Sequence, residues 1–140
     1  MCDYESIKEC FDLKDVKPGE VAPLILAHIG DAVYEVIIRT IVLSDGNRAM
    51  DKVHRAASSY ANAGFQSKLA DYLADELTEE ELSIYKRGRN AKSGSKAKNA
   101  TIGDYRKATG FEALVGYLYL CKREERMLEL IHKGIENVKK

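Results

Sequence analysis

Apolar residues recur at three- and four-residue intervals through most of this chain, and no stretch alternates apolar with polar as a half-buried strand would. The pattern predicts an all-α fold. After a polar lead, Pro18 and Gly19 mark a turn, and Pro23 suits a first helical turn, where its missing N–H is not needed. A long helix is expected from about Pro23 to Leu43. Its apolar residues, among them Ile25, Ile29, Val33, Val36 and Ile37, wrap more than half of its circumference and make it a central helix. Ser44 to Asn47 end it. A second helix is expected from about Ala49 to Ser59, and Asn62 can cap a third over Ala63 to Leu73. Thr78 followed by Glu81 forms a capping box for a fourth, which should end near Gly88. Arg89 to Asp104 has no apolar period and reads as a loop; helices from about Asp104 to Cys121 and Glu124 to Val138 complete the chain.

The 140 residues suffice for one domain, expected over 1–140, with 1–20 as an N-terminal lead and 87–103 as a basic flexible loop. With 45% hydrophobic and 31% charged residues, disorder is excluded, and only two prolines interrupt the helical pattern. The three cysteines lack metal or disulfide spacing. The N-terminus shows no signal-type apolar core, and the apolar run from Val21 to Leu43 carries His28, Asp31, Glu35 and Arg39, which excludes a membrane span. A soluble, cytoplasmic protein with no membrane partner is expected. Charge balances at 22 basic against 22 acidic residues, but unevenly. Six acids and no bases lie between Asp71 and Glu81, whereas eight bases and one acid lie between Lys86 and Lys107.

Candidate chemistry starts with Asp31, which follows Gly30 inside an apolar helix. A carboxylate taken from water costs several kcal/mol unless a donor or cation answers it, so a buried or half-buried Asp31 marks a site. Gly30 weakens the helix by roughly 1 kcal/mol relative to alanine, which implies close approach by another backbone or a ligand. His28 and Glu35 are one turn either side of Asp31, as possible helpers or as solvated residues. Glu112 is placed likewise before Ala113-Leu114-Val115-Gly116, the lesser alternative on local grounds being a first-turn acid favoured by the helix dipole. Together the two acids suit one Mg²⁺, which takes one or two carboxylates, keeps waters and binds substrate phosphate. Such an ion activates water and stabilises charge on a phosphodiester.

The basic loop lacks aromatic residues for stacking on single strands. Its Arg87, Arg89, Lys92, Lys96 and Lys98 suit phosphates, and Asn90, Ser93 and Ser95 suit backbone oxygens, as duplex RNA requires. The alternative is a solvated charged loop. No HExxH, GxSxG, P-loop or GxGxxG motif is present, which discards zinc-protease, hydrolase-elbow and nucleotide-cofactor classes.

Ile29-Gly30-Asp31-Ala32 and Glu112-Ala113-Leu114-Val115-Gly116 together resemble the two signature motifs of the ribonuclease III catalytic domain. Lys86 to Gly94, KRGRNAKSG, and YRKATGFEALVGYLYL resemble Mini-III, the compact branch without a separate double-stranded-RNA-binding domain. Larger members carry further acids where this chain has Leu24, Ala27 and Thr109, so only Asp31 and Glu112 carry over as metal and catalytic acids. The resemblance implies the ribonuclease III helical fold and a homodimer with one valley for duplex RNA. It also implies Mg²⁺-dependent endonucleolytic cleavage in the maturation of precursor 23S ribosomal RNA, with ribosomal proteins as possible presenters of that RNA. The competing readings are a non-catalytic duplex-RNA-binding dimer of the same fold and a helical protein-interaction module.

Overall fold

The computed structural model describes residues 3–92 and 101–139. Seven α-helices are formed among them: α1 (Tyr4–Cys10), α2 (Pro23–Leu43), α3 (Met50–Ala61), α4 (Ala63–Leu73), α5 (Glu79–Asn90), α6 (Ile102–Leu120) and α7 (Glu124–Val138). Short 3-10 turns lie at Pro18–Glu20 and Ala74–Glu76, and the described residues contain no strand. Local chemistry sets several boundaries. The Asn62 side chain accepts from the Phe65 N–H at 2.8 Å and starts α4. Thr78 and Glu81 close a reciprocal box, the Glu81 N–H donating to Thr78 at 3.2 Å and the Thr78 N–H to Glu81 at 3.0 Å.

Three boundaries differ from those read from the sequence. The lead is not uniformly irregular: Asp3 caps the short helix α1 by accepting from the Ser6 N–H at 2.8 Å. The 87–103 segment is not all loop, because α5 continues through Arg87, Gly88, Arg89 and Asn90, and Ile102 and Gly103 already belong to α6. Gly88 does not end α5. A Cβ there would stand 2.8 Å from the Ala113 Cβ and 2.9 Å from the Gly110 Cα, so its small size serves packing against α6.

The most enclosed element is α6, not α2. It packs against α2, α4, α5 and α7, and every residue from Ala108 to Leu118 except Glu112 is buried. Its central turns are enclosed, whereas α2 turns one stripe outward. Ile25 is 61% and Leu43 71% exposed, and Ala32 and Val36 between them are exposed on the same side. The core joins Leu26, Tyr34 and Ile38 of α2 to Leu69 and Leu73 of α4, Phe111 and Leu118 of α6, and Met127, Leu130 and Ile131 of α7. Each such side chain contributes about 1.5–3 kcal/mol by leaving water.

The feature that places the site is the crossing of α2 and α6. A Cβ on Gly30 would lie 1.8 Å from the Glu112 carbonyl oxygen, and one on Gly116 would lie 2.0 Å from the Leu26 carbonyl oxygen. The two backbones touch where side chains would normally separate them. This is the close approach that Gly30 implied.

At the far end, α5 and α7 are clipped together by charge. Glu81, 2% exposed, receives two hydrogen bonds from Arg126, Nε to Oε2 at 2.9 Å and Nη2 to Oε1 at 2.8 Å. Arg126 also donates to the Glu76 carbonyl at 2.9 Å, and the Thr78 N–H donates to the same Glu81 carboxylate, so the buried charge is answered by both groups. The guanidinium holds the Glu81 carboxyl below its ordinary range.

Candidate active site

Because Gly30 lies on the Glu112 carbonyl, the residue after it, Asp31, is carried to the side of the Glu112 carboxyl. The two acids hydrogen-bond side chain to side chain. Their environments are unequal. Asp31 is exposed, which corrects the expectation of a buried or half-buried aspartate. Its neighbours in sequence are apolar, but it stands between the buried face of α2 and the outward stripe. Glu112 is the largely buried partner, in the middle of α6 instead of its first turn, so the helix N-terminus does not account for it.

Burial pushes the Glu112 carboxyl up to about 9, and the hydrogen bond and negative charge of Asp31 push in the same direction. Without a cation the site therefore holds a proton at neutral pH. The charge of Glu35 adds to the upward push, while a hydrogen bond from Gln66 opposes it. Glu35 is paired with Arg39 at 3.1 Å, and His28 is exposed one turn before Asp31. Near the acids Tyr34 is fully enclosed. Its hydroxyl donates to the Tyr60 carbonyl at 2.8 Å and its ring meets Phe111 edge-on at 5.3 Å, which fixes its place in the core.

Among the described residues no three histidines, cysteines or acids converge as a cage for a metal ion. The donors that do converge are hard oxygens: two carboxyls and, beside Glu112, the carboxamide of Gln66, whose buried Oε1 has no partner. Two carboxylates plus an orphaned acceptor fit a Mg²⁺-like ion that keeps most of its water, and do not fit zinc.

The ribonuclease III domain family matches residues 24–123, which include both acids and the glycine crossing. The chain belongs to the ribonuclease III family. Within it, Mini-ribonuclease 3 of Clostridium tetani is 45% identical over 124 residues, covering 88% of this chain and 81% of that protein. Mini-ribonuclease 3 of Brevibacillus brevis is 48% identical over 117 residues, covering 84% and 87%. A crystal structure of a Fusobacterium nucleatum protein superposes with a TM-score of 0.76 at 31% identity, covering 84% of this chain and 94% of that one. These likenesses make the chain an endoribonuclease of the Mini-ribonuclease 3 branch of the ribonuclease III family.

Of the other residues singled out for RNA, the described ones lie at the C-terminal end of α5 and just beyond it. The Arg87 guanidinium donates to the carbonyls of Gly19 at 3.2 Å and Val21 at 3.5 Å and so ties α5 to the lead, a task its sequence context did not reveal. Arg89 lies over the Tyr85 ring, 5.7 Å from its centroid, and donates to the Asn90 side chain at 3.2 Å. Lys92 is exposed just beyond α5. Ser93, Ser95, Lys96 and Lys98 lie outside the described residues. Sequence reasoning missed Gln66. Its signal was positional, since it shares the inward face of α4 with Leu69, Ala70 and Leu73, where a polar residue is out of place. No described helix is long and apolar enough to cross a membrane.

Proposed function

We propose that this chain cleaves double-stranded RNA with Mg²⁺ held between Asp31 and Glu112, in cytoplasmic maturation of precursor large-subunit ribosomal RNA. One observation carries the reading. Two acids distant in sequence meet side chain to side chain at the Gly30–Gly116 crossing, where burial raises the carboxyl of Glu112. When bound, the ion supplies Lewis-acid activation of water and neutralises charge developing on the scissile phosphate.

The protein's own groups do the rest. Asp31, exposed, faces substrate and solvent; Glu112, largely buried beside Gln66, is the fixed partner. Glu112 must lose its proton before it serves as a ligand, and the Gln66 hydrogen bond favours that ionised form. Glu35 and His28 flank Asp31 as helpers. Arg89, Asn90 and Lys92, with Arg87 at their base and Ser93, Lys96 and Lys98 beyond, meet phosphate and sugar oxygens of the duplex. One polypeptide, 1–140, provides the catalytic domain. The outward stripe of Ile25, Ala32, Val36 and Leu43 supports a homodimer, because an apolar helix face of that length is costly to leave in water. A pair of protomers would place two sites and two basic segments along one duplex.

The test is a long perfect RNA duplex incubated with the purified protein with and without Mg²⁺ and read on a denaturing gel, beside Asp31→Asn. Wild type should cut only with the ion, and the variant should bind the duplex in a gel shift without cutting it. Unchanged cleavage by Asp31→Asn removes Asp31 from the chemistry. Binding without cleavage by wild type under all ions leaves a duplex-binding dimer.

A further inference from the structure

Gln66 is 2% exposed, and the other buried residues of its helix are Ser67, Leu69, Ala70 and Leu73. A methionine or leucine would fill its place without a polar atom to satisfy. Its Nε2 donates to the Ala61 carbonyl at 2.9 Å, its side chain also hydrogen-bonds Glu112, and its Oε1 is buried with no partner. The first contact explains an amide as a tie between α3 and α4. It does not explain the orphaned oxygen, since a buried acceptor without a donor costs about 1–3 kcal/mol. A group that is half satisfied in the isolated protein, and that touches one of two acids suited to a cation, has the chemistry of an outer support: it orients a ligand and accepts from water.

We propose that Gln66 is a positioning residue for the two-acid site. Its amide N–H steers Glu112 toward Asp31, and its unpartnered Oε1 would be free to accept from water brought in with a divalent cation. The inference rests on the reading of Asp31 and Glu112 as the cation's ligands. It gives Gln66 no contact with RNA.

The experiment compares wild type, Gln66→Met, Gln66→Leu and Glu112→Gln by three measurements. Melting in EDTA reports folding, loss of the free Mn²⁺ electron-paramagnetic signal reports cation binding without RNA, and initial rates against RNA and Mg²⁺ separate kcat from KM. Gln66→Met, whose unbranched chain matches glutamine in length, should melt no lower than wild type, bind Mn²⁺ about tenfold more weakly and need about tenfold more Mg²⁺ for half-maximal rate. Its KM for duplex at saturating Mg²⁺ should not change. Gln66→Leu should behave alike. If Gln66→Met binds Mn²⁺ and responds to Mg²⁺ as wild type does while Glu112→Gln has lost both, the proposal falls and the two-acid site stands. If Gln66→Met melts far below wild type or fails to fold, the amide is a structural tie and the proposal also falls. If Glu112→Gln itself retains Mn²⁺ binding and cleavage, the two-acid reading fails first.

Discussion

Replacing Glu112 by glutamine should inactivate the enzyme and stabilise it at the same time. In the cation-free protein the Glu112 carboxyl stays protonated up to about pH 9, against an ordinary value of 4.5. The folded state therefore binds a proton that the unfolded state releases throughout that interval. Stability from this group is complete below pH 4.5 and declines as pH rises to about 9. At about 1.4 kcal/mol per pH unit, the loss reaches about 3 kcal/mol at neutral pH and about 6 kcal/mol at the top of the interval. Glutamine keeps the shape and has no proton to lose, so Glu112→Gln should recover most of this. For a chain of this length each kcal/mol is worth a few degrees, giving a melting temperature about 10 °C above wild type at pH 7. The assay is thermal unfolding by circular dichroism in EDTA from pH 5 to pH 9. Two features are diagnostic. The gap should widen steadily with pH, and Mg²⁺ should narrow it by stabilising wild type alone, because the ion binds only the ionised pair. A gap that is absent, or that does not change between pH 5 and pH 9, refutes both the raised Glu112 and its pairing with Asp31.

Gly30→Ala forces a Cβ onto the Glu112 carbonyl and should cost about 3 kcal/mol or more, seen as a lowered melting temperature or insoluble protein; Gly19→Ala, with nothing within 4 Å of the added Cβ, should melt as wild type. Arg126→Met strands the buried Glu81 carboxylate and should lose about 3–5 kcal/mol in urea unfolding at pH 7. Because Arg126 lowers the Glu81 carboxyl, its stabilisation is present above pH 4.5 and fades as pH falls, so the deficit should be smaller at pH 3.5 than at pH 7.

The sequence disclosed those parts whose physics is local. Asn62 and the Thr78–Glu81 pair satisfy amides within three residues of themselves, and the helices they cap begin where the pattern indicates. Gly30 was legible as a close contact because glycine in a long helix has a cost that only packing repays, and the partner backbone is indeed there. The same logic failed at Gly88, where glycine near a polar run looks like a stop. What α5 needs there is room for Gly110 and Ala113, and that requirement lies on another helix. Asp31 was assigned the wrong burial because the apolar period of α2 marks more of its surface than the core covers, and sequence does not say which stripe faces out. Nor does it say that Glu112 is the enclosed member of the pair. The bonds from Arg87 to Gly19 and Val21 were not legible either, since charge composition carries no information about distant carbonyls.

The contact between α2 and α6 has a mechanical meaning. Two rods pressed together at bare backbone pivot about the point where they touch, and displacement grows with distance from that fulcrum. Asp31 and Glu112 sit at the fulcrum. Breathing of the rod ends, or yielding of the outer stripe to a neighbour, moves the backbone that carries these carboxyls least, so the two attachment points are held together by main chain.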